Sequence, residues 1–239
     1  MSEKAPEISI VIPVYNEAAI VQSAAEELVR ALDEQGLDYE LILAENGSSD
    51  STPQIVDGLA SRLPRLRALH VGEPNYGRAL KEGILSARGT YVISDEIDLC
   101  DLDFYRRALP LLRSGEAEMV VGSKAARGAR DERPLLRRAG TKVINGVLRL
   151  SLGFRGTDTH GLKAFRRDAL LPVARACLVD KDMFASELVI RAGRMGRRVV
   201  EVPVVVHEKR KPTINLVRRV PNVIKNIGKL VYAIRIKGA

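Results

Sequence analysis

Two carboxylates stand just after an apolar run in the first half of the chain. Glu96 and Asp98 follow Tyr91–Ser94, which has the pattern of a short buried strand. Carboxylates two residues apart at the end of such a strand can share one hard divalent cation, and Mg²⁺ or Mn²⁺ is often held this way together with substrate phosphates. The alternative to a metal site is that these acids stabilise the N-terminus of the helix that follows. That alternative suits Asp101 and Asp103 better than Glu96 and Asp98.

Two further polar segments follow earlier apolar runs. Pro13–Glu17 has no glycine that would let a phosphate approach the backbone, but it offers an aromatic ring, an amide and a carboxylate, which suit a nucleobase. Glu45–Asp50 presents a carboxylate and an amide that can read the edges of a base or a ribose. Ordinary turns, with Asn16 and Asp50 capping the helices that follow, are the alternative for both segments.

Several classes of protein are excluded by missing motifs. No G-x-G-x-x-G follows the first apolar run and no G-x-x-x-x-G-K-[S/T] occurs, which argues against dinucleotide-binding and P-loop proteins. Two cysteines and three scattered histidines form no zinc-ligand cluster. Because the cysteines form no disulfide framework, we expect a reducing, cytoplasmic setting.

The net charge of +8 is unevenly distributed along the chain. Residues 209–239 contain nine Lys and Arg and no Asp or Glu, so residues 1–208 carry a net charge of −1. This pattern predicts a basic tail with an anionic partner, such as a membrane surface, and not a nucleic-acid-binding face. We therefore expect a domain at 1–208 and a tail at 209–239.

Short apolar runs alternate with helical patterns through the first half of the chain, which predicts an α/β fold with a parallel sheet and helices on both faces. Ligands bind at the carboxyl ends of strands in such sheets, where the polar segments lie. The predicted strands are Ile8–Pro13, Tyr39–Ala44, Leu66–Val71, Tyr91–Ser94 and Met119–Val121. The predicted helices are Glu17–Gln35, Ser51–Arg62, Gly77–Ala87 and Asp103–Arg113.

The two ends of the chain differ in composition. The polar N-terminal segment, residues 1–7, lacks the pattern of a secretory signal peptide. No apolar run approaches the roughly 18 residues of a membrane-spanning helix. In the tail, Ile227, Leu230 and Ile234 repeat at helical spacing among lysines. This predicts a basic amphipathic helix that either lies on an anionic membrane or docks on the body.

Together the motifs resemble those of the family-2 glycosyltransferases of the GT-A fold. The matching segments are PVYNE (Pro13–Glu17), ENGSSDST (Glu45–Thr52), N-x-G-x-A-x-x-x-G (Asn75–Gly83) and A-x-G-x-Y-V-I (Ala87–Ile93), followed by the acidic segment. Further segments resemble the dolichol-phosphate mannose synthase branch, and the resemblance covers about residues 8–215. These are Val120–Lys124, Asp158–Phe165 and Glu201–Pro203.

The resemblance implies a mostly parallel, twisted GT-A-like sheet and a nucleotide-sugar donor. The residues it assigns to donor or substrate are Pro13, Tyr15, Asn16, Glu17, Glu45, Asn46, Arg78 and Lys163. It places the family's D-x-D metal motif on Glu96 and Asp98, which implies Mg²⁺ or Mn²⁺. Three departures stand out: Glu45-Asn46 replaces the common Asp-Asp, Glu96 replaces the first Asp of the motif, and Cys100 falls at the next ligand position.

The resemblance also implies inverting transfer of a hexose, such as mannose or glucose, to a polyprenyl or dolichyl phosphate at the cytoplasmic membrane face. A lipid phosphate is already anionic and needs no general base, whereas two phosphates held close together need cations. The basic residues in matching positions are Lys124, Arg138, Lys163, Lys209 and Arg210. The resemblance assigns six residues to catalysis: Glu96, Asp98, Lys124, Arg138, Lys209 and Arg210.

Two other functions fit the sequence. A soluble or protein-bound hydroxyl acceptor would require a general base, for which Asp182 and Glu187 are candidates. A nucleotide-sugar-binding scaffold with attenuated catalysis would account for the altered metal motif.

Overall fold

The computed structural model describes residues 4–131, 135–206 and 225–237. Strands and helices alternate through the first half, as predicted. The strands are β1 (Ile8–Val14), β2 (Tyr39–Glu45), β3 (Leu66–His70), β4 (Tyr91–Ser94), β5 (Met119–Ser123), β6 (Arg130–Asp131), β7 (Lys163–Arg166), β8 (Val199–Pro203) and β9 (Val205–Val206). The helices are α1 (Val21–Glu34), α2 (Thr52–Arg62), α3 (Tyr76–Ser86), α4 (Leu102–Arg113), α5 (Leu135–Leu152), α6 (Arg167–Ala176) and α7 (Phe184–Arg194).

Within the described residues, seven strands form the main sheet in the order β3-β2-β1-β4-β7-β5-β8. All neighbours are parallel except β7, which runs antiparallel to both β4 and β5. The mostly parallel sheet predicted from the sequence is therefore confirmed. The short strands β6 and β9 pair with each other as a separate ribbon.

Alternating side chains of the strands feed two apolar cores. Ile10 and Ile12 of β1 point to one face of the sheet, where they join Leu28 of α1 and residues of α2 and α4. Val11 points to the other face and packs with Leu80 of α3 and residues of α5, α6 and α7. This strict alternation is the period-2 pattern of a strand, and it confirms that helices cover both faces of the sheet.

The strand register brings the predicted polar segments to one edge. Val14 is the partner of Glu45 in the parallel β1–β2 pair, and Val11 is the partner of Ser94 in the β1–β4 pair. The loops after these three strands therefore leave the sheet side by side. Because β7 is antiparallel, its first residue, Lys163, arrives at the same edge opposite Ser94.

The described part of the tail is helical and packs on the body. Residues 225–232 are helical and continue into a π-helical turn, Ala233–Lys237. Leu230 and Ile234 are buried in the core that also contains α5 and α7. Arg191 of α7 donates to the carbonyl of Ala233 at 3.1 Å. Docking on the body, one of the two alternatives for this helix, therefore holds for residues 225–237.

No helix among the described residues is long and apolar enough to cross a membrane. Cys100 and Cys177 form no disulfide within the described part of the chain.

Candidate active site at the carboxyl edge of the sheet

The loops after β1 and β2 are tied together by hydrogen bonds. Asn16 has a positive φ of 53°, and its side-chain oxygen Oδ1 accepts from the backbone N–H of Ser49 at 2.8 Å. In return, Ser48 Oγ accepts from the N–H of Asn16 at 2.9 Å, and Thr52 Oγ1 accepts from that of Glu17 at 2.8 Å. Asn16 therefore bridges two loops. The alternative, in which Asn16 caps α1, does not hold.

Glu45 is buried at the end of β2 and is held in its ionised form. Its carboxylate accepts from the N–H of Ser48 at 2.6 Å and lies 3.3 Å from Nδ1 of His70. Burial works against ionisation, but these hydrogen bonds outweigh it and lower the pKa of Glu45. Pro13 is buried in β1, while Tyr15 keeps 43% of its surface exposed beside this carboxylate loop.

Asn75 joins three segments at the start of α3. Its backbone N–H donates to Oδ1 of buried Asn46 at 2.5 Å. Its side-chain oxygen caps α3 through the N–H of Arg78 at 3.0 Å and also accepts from the N–H of Lys181 at 2.8 Å. Its amide nitrogen donates to Asp180 at 2.8 Å. One buried residue, through its backbone N–H and its side chain, therefore connects the β2 loop, α3 and the segment before α7.

The acidic segment is shaped by Asp95, which is almost completely buried. Its carboxylate accepts from the hydroxyl of Tyr105 at 2.5 Å and from the backbone N–H groups of Glu96 at 2.6 Å and Asp101 at 3.1 Å. Burial raises the pKa of Asp95 to about 7. Asp95 thus folds the loop that carries Glu96 and Asp98, and Asp101 caps α4 through the N–H of Phe104.

Glu96 faces charges of both signs. Part of its surface stays exposed. Its pKa is raised, first by loss of hydration and then by the negative charge of Asp98, while Lys124 and Lys163 oppose that rise. The negative charges of the acidic segment also raise the pKa of Tyr76, after the larger contribution of its own loss of hydration. Carboxylates, lysines and a phenol therefore share one small region of the edge.

The two lysines reach this region from different strands. Lys163 is fully buried, which lowers its pKa to about 8, and its ammonium donates to the carbonyl of Gly161 at 2.6 Å. Lys124 follows β5, and its ammonium lies 3.8 Å from the carboxylate of Asp158. Asp158 is itself buried and accepts from the N–H of His160 at 2.9 Å.

A hydrogen-bonded chain fixes the segment that carries Asp158. Glu201 of β8 accepts from the backbone N–H and the hydroxyl of Thr157, each at 2.6 Å. The Thr157 hydroxyl lies 2.7 Å from that of Ser123, and Asn145 of α5 donates to the Thr157 carbonyl at 2.5 Å. The position of Lys124, one residue after Ser123, is thereby coupled to β8 and α5.

The chemistry of the acidic segment fits a divalent cation. Glu96 and Asp98 supply carboxylate oxygens, which Mg²⁺ and Mn²⁺ prefer, and the charge of Asp98 raises the pKa of Glu96, as expected for two acids that face a shared space. Among the described residues, no group of three or more His, Cys, Asp or Glu forms a complete metal site. A cation here would therefore draw further ligands from substrate phosphates and water.

A family model decides to which family this arrangement belongs. The model described as glycosyl transferase family 2 matches residues 9–171. The chain belongs to this family. The match runs from β1 into α6 and includes both polar loops, the acidic segment and Lys163.

Curated relatives cover most of the chain. Glycosyltransferase AglD of Haloferax volcanii is 33% identical over 218 residues, which cover 89% of this chain and 35% of AglD. The dolichyl-phosphate hexose transferase of the same organism is 25% identical, covering 85% of this chain and 84% of that protein. An undecaprenyl-phosphate 4-deoxy-4-formamido-L-arabinose transferase of Edwardsiella ictaluri is 29% identical, covering 82% and 59%. The chain thus spans less than two thirds of the length of AglD and of the arabinose transferase.

Solved structures agree on the architecture. Glucosyl-3-phosphoglycerate synthase from Mycobacterium tuberculosis, in complex with Mn²⁺, UDP and phosphoglyceric acid, superposes with a TM-score of 0.67 at 20% identity. The superposition covers 95% of this chain and 78% of that one. The GT-A-like α/β fold expected of this glycosyltransferase family is therefore confirmed.

Not every residue assigned to the site from the sequence lies with the others. The guanidinium of Arg78 is exposed and pairs with Glu73 at 2.8 Å and Glu82 at 2.7 Å on the surface of α3. Arg138 belongs to α5, but its side chain lies outside the described part of the structure. Lys209 and Arg210 also lie outside the described residues.

Four residues of this edge received no role from the sequence. Asp95 and Asn75 are buried here, Tyr76 is 37% exposed beside the acidic segment, and Asp158 faces Lys124. Asn75 and Asp158 begin motifs that carried the family resemblance, which was the available signal. Nothing in the local sequence around Tyr76 distinguishes it from a helix surface residue.

Proposed function

We propose that this chain is an inverting glycosyltransferase that moves a hexose from a nucleotide-diphosphate sugar to a polyprenyl phosphate. The observation that carries this proposal is the grouping of Glu96 and Asp98 with Lys124 and Lys163 beside two loops suited to a nucleoside. Family membership supports glycosyl transfer. The dolichyl-phosphate and undecaprenyl-phosphate transferases among its relatives support the lipid-phosphate acceptor.

In this proposal the bridged loops bind the donor nucleoside. Tyr15 offers an exposed ring for stacking on the base, and ionised Glu45 accepts hydrogen bonds from the base or ribose. The contacts between Asn16 and the β2 loop hold the two loops in one arrangement before the donor arrives. Such preorganisation reduces the entropy lost on binding.

Glu96 and Asp98 would hold Mg²⁺ or Mn²⁺, and the bound cation would supply charge neutralisation for the leaving diphosphate. The acceptor phosphate oxygen attacks the anomeric carbon as the bond from that carbon to the diphosphate breaks, which inverts the configuration. Lys124 and Lys163 face Glu96 and would hold the two mutually repelling phosphates together. Lys163 remains largely protonated near pH 7, because its pKa is lowered only to about 8.

A hydroxyl acceptor is less well supported, because it requires a general base. Glu187, one candidate, is fully buried and accepts from the N–H groups of Leu178 at 2.9 Å and Val179 at 2.6 Å. It also pairs with Arg191 at 2.7 Å. These structural contacts argue against Glu187 as a general base, because they already occupy its buried carboxylate. The side chain of Asp182 lies outside the described part of the structure.

The proposed acceptor would place the enzyme peripherally at a cytoplasmic membrane surface. Residues 1–208 would form the catalytic unit, and the cations of residues 209–239 would supply attraction to anionic lipid. Lys209 and Arg210 would serve the acceptor phosphate.

Ligand-dependent melting tests the donor class. The panel contains GDP, UDP and other nucleoside diphosphates, each with and without Mn²⁺. We expect one of them to raise the melting temperature selectively, and more strongly with the metal. A ligand that binds only the folded state stabilises it by mass action. The selected nucleotide sugar and a polyprenyl phosphate are then assayed for transfer. If no nucleotide shifts the melting temperature, the proposed donor is wrong. Nucleotide binding without transfer or hydrolysis would favour the scaffold alternative.

Asp98→Asn tests the metal assignment. We expect this variant to fold normally and to lose roughly a hundredfold or more in transfer rate, since a charge that helps stabilise the transition state is removed. Asp103→Asn is the matched control, because Asp103 is an exposed acid in the first turn of α4 that pairs with Arg106 and Arg107 on the helix surface. Full activity of Asp98→Asn would contradict the metal assignment.

A further inference from the structure

Helix α5 is apolar on two opposite sides. Leu148 and Leu152 are buried against the body. On the other side, Val143 is 66% exposed, Val147 40% and Leu150 89%. At 3.6 residues per turn these three aliphatic residues fall within an arc of roughly 60°, so they form one stripe along the helix. Single exposed apolar residues are common, whereas a continuous stripe marks an interaction surface.

The C-terminal helix meets α5 and repeats this arrangement. Arg235 donates to the carbonyl of Ser151 at 2.8 and 3.0 Å, which joins the two helices at the end of α5. Leu230 and Ile234 face the core, while Tyr232 and Ile236, also four residues apart, are 50% and 67% exposed. Two of the apolar residues that the sequence predicted to face a membrane, Leu230 and Ile234, are therefore buried against the body. The exposed apolar residues of this helix are Tyr232 and Ile236.

The charge of these segments selects the partner. The sequence of α5 contains four Lys and Arg and no acid, and Lys142 and Arg149 are exposed next to the stripe. Residues 209–239 add nine cations and no acid. A second copy of the chain would bring like charges such as Lys142 and Arg149 together, whereas an anionic bilayer would attract them.

We propose that the stripe Val143, Val147 and Leu150 of α5, together with Tyr232 and Ile236, inserts into the interfacial layer of an anionic membrane. Aliphatic side chains enter the acyl boundary while the flanking cations meet lipid headgroups, as in interfacial amphipathic helices. Insertion through a helix of the body differs from the tail-only contact expected from the sequence. Its purpose rests on the proposed lipid-phosphate acceptor, but the contact itself does not require transfer.

This surface is rigidly connected to the candidate site. Asn145, on the inner side of α5, donates to the carbonyl of Thr157, and the Thr157 hydroxyl meets that of Ser123, the residue before Lys124. Arg149 donates to the carbonyl of Gly156 at 3.1 Å. Membrane contact through α5 therefore fixes the orientation in which the lysines of the site meet lipid phosphates.

The chain contains no tryptophan, which permits a direct test. Leu150→Trp places one reporter in the stripe, and Leu178→Trp places a control at another leucine that is 54% exposed. On addition of phosphatidylcholine vesicles that contain phosphatidylglycerol, we expect a blue shift and quenching by brominated lipid for Leu150→Trp only. Equal responses, or no response of Leu150→Trp, would overturn the proposal.

A second set of variants measures the contribution of the stripe. The triple variant Val143→Ser, Val147→Ser and Leu150→Gln should lower the vesicle partition coefficient by about a hundredfold or more. Full burial of one aliphatic side chain is worth about tenfold or more. Leu178→Gln should leave the coefficient unchanged. If the triple variant partitions like the wild type, the tail cations act alone and the proposal is wrong.

Sedimentation velocity distinguishes the other occupants of the stripe. The wild type should be monomeric without vesicles, and a dimer abolished by the triple variant would show that a second copy covers α5, which overturns the proposal. Because these vesicles contain neither donor nor polyprenyl phosphate, their results are independent of the transfer assay. If the protein transfers sugar but does not bind vesicles, the membrane proposal has failed. If it binds vesicles but does not transfer sugar, the proposed function has failed.

Discussion

His70 links two acidic side chains at the residue scale. Its Nε2 lies 2.8 Å from Asp57 of α2 and its Nδ1 lies 3.3 Å from Glu45 of the candidate nucleoside site. The pKa of His70 is raised above the ordinary value of 6.5, mainly by its hydrogen bond with Asp57 and to a smaller extent by Glu45. Partial burial opposes this rise. The protonated imidazole is thus favoured in the folded state.

This pKa shift predicts a pH-dependent stability. A histidine whose pKa is raised on folding contributes its full stabilisation below pH 6.5 and loses it as the pH rises through the folded-state pKa. We expect His70→Gln to be less stable than the wild type by about 1 kcal/mol or less at low pH, because the pair is partly exposed and screened. The difference should vanish at higher pH.

Urea unfolding of both proteins across a pH series, from about 5 to 8, measures this difference directly. Asp57→Asn should reduce the same pH dependence, since it removes the strongest partner of His70. A constant difference between wild type and His70→Gln across the series would contradict the assignment.

At the scale of elements, Asn75 connects α3 to two loops. Asn75→Ala removes the cap of α3 and leaves the N–H of Lys181 and the carboxylate of Asp180 without this partner. Because Asn75 is buried, we expect a loss of about 1–3 kcal/mol in the free energy of unfolding. Donor binding should weaken as well, since the backbone of Asn75 also holds Asn46.

Ser51→Ala is the matched control for this prediction. Ser51 stands at the same N-cap position of α2, but its side chain makes no capping hydrogen bond. Denaturant titrations of both variants should therefore give a large loss for Asn75→Ala and almost none for Ser51→Ala. Equal losses would show that Asn75 contributes no more than an ordinary cap residue.

The elements themselves were largely predictable from local patterns. Short apolar runs and helical patterns located the first five strands and four helices, because these signals depend only on neighbouring residues. The insertion of β7 between β4 and β5 was not predictable, since its partners Ser94 and Val121 are far from Lys163 in sequence. For the same reason the sequence could not place Lys163 next to Glu96, although the family resemblance assigned both to the site.

At the scale of the whole molecule, the core extends into the C-terminal helix. The sequence left two alternatives for this helix, because an apolar stripe among lysines fits membrane and protein equally well. Only the tertiary contacts decide: Leu230 and Ile234 join the core of α5 and α7, and Arg191, which pairs with buried Glu187, reaches the carbonyl of Ala233. A chain ending before this helix would lose all of these contacts.

This packing predicts that the C-terminal helix contributes to global stability. Leu230→Ala and Ile234→Ala should each lower the free energy of unfolding by about 2–5 kcal/mol, because each leaves a cavity in a closely packed core. Ile236→Ala, at a position 67% exposed, should change it by about 0.5 kcal/mol or less without vesicles. Urea unfolding checks all three variants. If the two buried positions behave like Ile236, the helix is only loosely attached, and removing the tail would then be a clean test of its role at a membrane. If the buried positions are costly, only substitutions on the exposed side can separate membrane contact from folding.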